Sequence, residues 1–272
     1  MEDIKAILDW YILAGVDEIC ADEPCVVLKP KEPLLQAETT NYTVLYQLAD
    51  TSSEIVTSAT RPAVTELSQI NTAACKNAQD ICAKAQTLDD LRAMMENFDG
   101  CSLKFSANST VFGYGNPQAE VFIIGEAPGA DEDRQGEPFV GRSGQLLNKM
   151  LASINIKRED CYIANILPWR PPGNRTPTSD EVAVCLPFLK KQIELINPKI
   201  IFILGRSAAN ALLDNTESIS ALRGHFVDYT TAKGSVIPTL SSFHPAYLLR
   251  TTSQKAKAWA DLLRLKRKLA EM

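Results

Sequence analysis

The sequence predicts an α/β protein: a three-layer αβα sandwich on a four-stranded parallel sheet, with a helical and disordered N-terminal extension. Two observations predict it. Apolar runs of strand length recur at 120–125, 161–167 (CYIANIL), 199–205 (KIIFILG) and 236–243 (VIPTLSSF). Between and after them lie stretches with helical spacing of apolar residues, at 142–154, 179–196 and 206–214, and a basic one at about 254–270. Strands that alternate with helices build a parallel sheet covered on both faces, and such strands are apolar along their length. With 272 residues, 45% of them hydrophobic, the chain can bury a sizeable core in one domain and still carry an appendage.

Taken in order, residues 2–20 set Ile4, Ile7, Leu8, Tyr11, Ile12 and Val16 near helical spacing, which predicts an amphipathic helix. A single short helix is marginal alone, so it is expected to dock, and the groove of a protein partner is one place for it. From 21 to 62 the composition shifts to Glu-Pro, Lys-Pro, Thr-Thr and Thr-Ser-Ser without a period, which predicts a flexible linker. Residues 63–98 form a helical lead-in of two segments, 63–84 and 87–98, with Thr87 placed to cap the second and Asp90 three residues on. The main domain then occupies 99–272.

Charge divides the chain. Residues 1–100 carry 7 Lys and Arg against 17 Asp and Glu, so a total of −5 conceals a remainder at +5. A mildly basic body suits a phosphate-rich partner. No apolar run reaches the roughly 18 residues of a membrane span. The start, Met1-Glu2-Asp3-Ile4, is acidic where a secretion signal would be basic, and seven cysteines without paired spacing fit a reducing compartment. A cytoplasmic monomer is the expectation.

In doubly covered sheets the ligand sits beyond the carboxyl ends of the strands. The first run ends on Gly125-Glu126. A polar stretch, 130–137, follows as a long loop closed by Pro138-Phe139-Val140-Gly141, and a helix opens at Arg142-Ser143-Gly144 with free N–H groups suited to an anion. The second run ends on Asn165 and leads into Trp169-Arg170-Pro171-Pro172-Gly173-Asn174-Arg175; the third ends on Gly205-Arg206. The fourth ends on His244, one of two histidines, beside a proline that stiffens its turn.

Three of these strand ends resemble a known family. GEAPGADEDRQGEPFVGRSGQLL, Asn165 in YIANIL, and HPAYLLR together resemble the uracil-DNA glycosylase superfamily, nearest its family 4, over about residues 99–270. The resemblance implies a monofunctional glycosylase that hydrolyses the N-glycosidic bond of a flipped-out deoxyuridine, in single- or double-stranded DNA, at the start of base excision repair. Asn165 would meet uracil N3–H with its amide oxygen and O4 with its amide nitrogen. Phe139 would stack on the base, Gly125 and Ala127 would border it, and His244 would stabilise the departing anion at O2. Glu126 and Glu132 match acidic positions able to orient water or stabilise the cationic sugar, with the general base open between them. Another branch carries an Asp where Ala127 stands. Arg142, Ser143 and Gly144 would hold phosphate, and Leu248 and Leu249 with Arg250 would form an apolar wedge for the duplex. Arg170, Arg175 and Arg206 are either DNA contacts or surface charge.

The resemblance departs from family 4 at its iron–sulfur ligands. Cys101 and Cys185 match the first and last of four cysteines, whereas Lys104 and Trp169 stand at the other two. Two thiolates cannot supply the four ligands of such a cluster, so no cluster and no metal is expected, although Cys82 and Cys161 are nearby thiols. No histidine follows the second strand, where another branch cross-links to its product, so ordinary turnover is expected. The alternative is a catalytically weak uracil-DNA-binding protein, or an interaction protein of a repair assembly.

Overall fold

The computed structural model describes residues 64–272; the helix expected at 2–20 and the linker at 21–62 lie outside them. Helices α1 (Val64–Lys84), α2 (Leu88–Glu96) and α3 (Leu103–Ser106) precede the sheet. There follow β1 (Tyr114–Gly115), β2 (Val121–Gly125), α4 (Ala130–Gln135), α5 (Arg142–Ser153), β3 (Tyr162–Asn165), α6 (Ser179–Ile196), β4 (Ile200–Leu204) and α7 (Arg206–Leu213). The chain closes with α8 (Ile219–Leu222), β5 (Phe226–Thr230), β6 (Val236–Ser242), α9 (Pro245–Arg250) and α10 (Lys255–Ala270).

The strand order is β1-β3-β2-β4-β6-β5, six strands rather than the expected four. The four expected strands are its parallel centre, and the two additions pair antiparallel at the edges, β1 on β3 and β5 on β6. Both edges are weak in sequence for physical reasons. Strand β1 is two residues long, and β5 is mostly solvent-facing, so neither presents an apolar run. By contrast β2, β3 and β4 are buried at every position.

Alternation sorts the strand residues between two cores. Phe122 and Ile124 face the side covered by α1, α2, α6 and α7; Val121 and Ile123 face α5, α9 and α10. The described part of the lead-in contributes to the first core. Ala78, Cys82, Leu91, Met95 and Phe98 are buried with Phe188, and the Phe98 and Phe188 rings lie 5.2 Å apart. The boundary at 98/99 therefore crosses shared packing. Thr87 caps α2 in a capping box with Asp90, and Thr178 caps α6 with Glu181. Among the described residues no helix is long and apolar enough to cross a membrane, and Cys75, Cys82, Cys101, Cys161 and Cys185 are free thiols.

One buried ion pair fixes the end of β6. Asp261 on α10 is fully buried; it accepts from Ser242 Oγ at 2.7 Å and from Arg223 Nε at 2.9 Å, with a second Arg223 contact at 2.6 Å. The guanidinium lies 5.5 Å from the centre of the Phe243 ring, so the residues just before His244 are held from behind. Removing one member strands the other charge away from water. Asp261→Ala is expected to cost about 3–5 kcal/mol of unfolding free energy, read from urea denaturation, whereas a cost below about 1 kcal/mol would mean the pair is dispensable.

Candidate active site

The carboxyl ends of β2, β3 and β6 converge on a pocket of about 450 Å³. Glu126, Ala127, Glu132, Phe139, Ser143, Asn165, His244 and Arg250 line it, together with Pro171, Asn174, Arg175 and Tyr247. The β2–β3 register sets Gly125 opposite Asn165. A Cβ on Gly125 would overlap Asn165 Oδ1 and stand 2.7 Å from the Phe139 ring, so only glycine lets amide and ring close over the strand end. Gly125 is thus a spacer beneath the pocket.

The stretch expected as a long loop contains α4. Its first turn carries Asp131, Glu132 and Asp133, which suit the positive end of a helix, and Gly136 at φ 75° ends it. Glu132 is buried, and its carboxylate accepts from three backbone amides: Gly129 at 3.1 Å, Val140 at 3.0 Å and Gly141 at 2.9 Å. Asp133 accepts in the same way from Asn108 and Ser109. Glu132 therefore braces the loop with oxygens that were expected to act on water or sugar.

Phe139 has φ 54°, a left-handed conformation that costs a bulky side chain about 1–3 kcal/mol. Its ring is 5% exposed and lies 5.5 Å from the His244 ring, tilted by 31°. Gly144 permits the approach, because a Cβ there would overlap the Phe139 carbonyl. Arg158, from the short 3₁₀ turn before β3, donates to Pro138 O at 2.6 Å and Phe139 O at 3.1 Å. Sequence reasoning missed Arg158. No motif marks a residue that reaches a loop 19 positions away.

His244 is the N-cap of α9, and its Nδ1 accepts from the Ala246 amide at 3.1 Å. Burial, with Arg250 adding to it, pulls its pKa down to about 4. The ring is therefore neutral near pH 7, and its proton sits on Nε2. Burial raises the Glu126 pKa. The Glu126 carboxylate and the Asn165 amide, which is 7% exposed, meet no hydrogen-bond partner among the described residues.

Of the expected DNA contacts, Ser143, Arg175 and Arg250 line the pocket, and the others lie outside it. Arg142 is exposed at the start of α5, outside the pocket lining. The 247–250 segment is the body of α9, and Leu248 is 0% exposed in the core formed with α5 and α10. Leu248 cannot be a wedge without leaving that core; Leu249, 37% exposed, faces outward. Arg175 is paired with Glu181 at 2.5 Å, Arg170 with Asn174 at 2.7 Å, and Arg206 is exposed.

The cysteine positions do not fit a four-thiolate cluster. Cys101 and Cys185 form a buried, hydrogen-bonded thiol pair; the bond from Cys185 and the Leu103 and Lys104 amides hold Cys101 below the ordinary thiol value, while Cys185 is raised. At the other two positions Lys104 pairs with Asp99 at 2.6 Å, and the buried Trp169 donates to Thr110 Oγ1 at 3.0 Å. Cys161 lies in the opposite core, and burial pushes both it and Cys82 up to about 12. Among the described residues no group of three or more His, Cys, Asp or Glu is placed to hold a metal.

The model of the uracil DNA glycosylase superfamily matches residues 112–263. The type-4 uracil-DNA glycosylase of Thermotoga maritima is 45% identical over 158 residues, 58% of this chain and 80% of the relative. That of Archaeoglobus fulgidus is 41% identical over 60% of this chain and 84% of its own. A type-5 uracil-DNA glycosylase of Pyrobaculum aerophilum is 28% identical over 56% of this chain and 72% of its own. The chain belongs to the uracil DNA glycosylase superfamily, with type 4 as its nearest branch.

Proposed function

We propose that this chain is a monofunctional uracil-DNA glycosylase that hydrolyses the N-glycosidic bond of a flipped-out deoxyuridine and so opens base excision repair. The observation that carries the proposal is the convergence of an unpartnered Asn165 amide and a neutral His244 Nε2–H on one pocket walled by the Phe139 ring. The amide reads uracil N3–H and O4 together, a donor and acceptor pattern that cytosine reverses. Breaking the bond leaves negative charge on the base. A neutral histidine at O2 stabilises that charge by a hydrogen bond whose donor is already oriented. Of the two carboxylates, Glu126 is the base that orients the attacking water, because Glu132 spends its oxygens on three amides. The Ser143 and Gly144 amides at the start of α5, with Arg142, take a phosphate. Leu249 and Arg250 face the strand beside the flipped nucleotide, single or double. Trp169 packing replaces the four-cysteine cluster, and residues 2–20 serve as a docking segment for a protein partner.

Lys104 and Trp169 at two of the four cluster-cysteine positions, with an acidic stretch at 1–100, favour one alternative: a protein that binds uracil in DNA and excises it slowly or not at all. Tight binding without excision would establish that alternative.

In single-turnover assays on a uracil oligonucleotide, Asn165→Ala and His244→Ala are each expected to slow excision at least about tenfold, about 1.4 kcal/mol of barrier. Unchanged rates in both would refute the assigned roles. The folded His244 pKa of about 4 lies below the unfolded value of about 6.5. The unfolded chain then binds more protons, so this stability is full above about pH 6.5 and is lost as pH falls toward 4. Wild type should therefore lose stability relative to His244→Gln across that window; parallel denaturation curves would contradict the assignment. Freshly purified protein is expected to contain no iron and no visible sulfide-to-iron absorption, and stoichiometric iron would overturn the cluster-free proposal.

A further inference from the structure

We infer that Arg158 is a positioning residue for Phe139, setting the ring on which the flipped base stacks. The inference rests on the glycosylase reading and extends it to a residue outside the pocket. The segment Pro138–Gly141 offers its amides on one side and its carbonyls on the other. Glu132 takes the amides of Val140 and Gly141, and Arg158 gives two N–H groups to the carbonyls of Pro138 and Phe139. A planar guanidinium is suited to two neighbouring acceptors, where an ammonium acts as a point charge. An anion and a cation thus grip one short segment from opposite sides, and between them Phe139 is held at φ 54°.

Arg158 is itself held. The nitrogen that reaches Phe139 O also lies 3.2 Å from Asn148 Oδ1 on α5, and the guanidinium sits 5.1 Å from the centre of the Tyr114 ring on β1. The two-residue edge strand thereby acquires a role: it supplies the platform on which the cation rests. Arg158 is not a member of either apolar core. Its loss leaves both cores intact and frees two carbonyls beside a strained residue, so the loop relaxes and carries the ring away from Asn165 and His244.

Two measurements on the full chain test this. In Arg158→Ala, amide hydrogen exchange at Val140 and Gly141 is expected to quicken at least about tenfold while Ile123 and Ile203 in the central strands are unchanged. In excision kinetics the same variant should raise the half-saturating concentration of uracil oligonucleotide more than it lowers the maximal rate, since a stacking ring binds substrate and transition state alike. In the Phe139→Ala background, removing Arg158 should cost little more. Arg158→Lys, which keeps the charge without the fork, should fall between and carries the same test if Arg158→Ala does not fold. Unaltered exchange, or an equal kinetic loss in both backgrounds, would overturn the inference. If the wild type excises nothing, the glycosylase reading fails, and the exchange measurement still decides whether Arg158 sets the Phe139 loop.

Discussion

Strands buried on both faces can place a polar side chain only where the strand stops. In β2, β3 and β4 every residue is buried, and the sheet reserves chemistry for its carboxyl edge. Parallel register then decides which ends meet. Because Gly125 stands opposite Asn165, and Leu204 opposite Ser242, the ends of β2, β3 and β6 deliver Glu126, Asn165 and His244 to one rim. The pocket is a consequence of that arrangement. Its walls are made of whatever the chain does immediately after each strand.

After β2 the chain makes a strained excursion, and the strain is offset by charge. A hydrogen bond to an ionised group is worth about 1.5–3 kcal/mol, and the Glu132 carboxylate accepts three while Arg158 donates two to the same loop. Against that, the left-handed Phe139 costs about 1–3 kcal/mol. The balance favours the observed conformation. After β6 the device differs: His244 caps a helix through Nδ1, and the cap leaves its one remaining proton on Nε2. A hydrogen bond that ends a strand thus also selects the tautomer.

Legibility in the sequence followed burial. The four central strands and the helices between them were readable because each buries an apolar face, and the site residues at their ends followed from parallel topology. Capping at Thr87 was readable from local chemistry. The edges β1 and β5 were not, because an edge strand needs little apolar surface. Helix α4 was hidden by its own acidity: Asp131-Glu132-Asp133 resembles a solvated loop unless the helix start beneath it is known. Leu248 misled in the opposite sense. A leucine in a motif that resembles a wedge is indistinguishable in sequence from one that fills a core, and here it fills the core. The grip on Phe139 was invisible because left-handed φ in a phenylalanine has no compositional mark.

The cysteine departure also has a packing logic. Four ligands on one cluster would tie together the start of α3, the segment after β3, and α6. Side-chain packing and hydrogen bonds join the same segments. Trp169, 1% exposed and the bulkiest of the fully buried side chains, donates to Thr110, while Val111 N–H donates to Pro168 O at 2.8 Å. The Cys101–Cys185 pair joins the segment before α3 to α6, and α1 and α2 lay a further apolar layer over α6. Helices that precede the sheet in sequence thereby stabilise a region adjoining the loop that carries Pro171 and Asn174 to the pocket. A large aromatic buried with its N–H satisfied supplies both area and direction. Such a joint is set by shape, and the packing of α1 and α2 on α6 contributes to it.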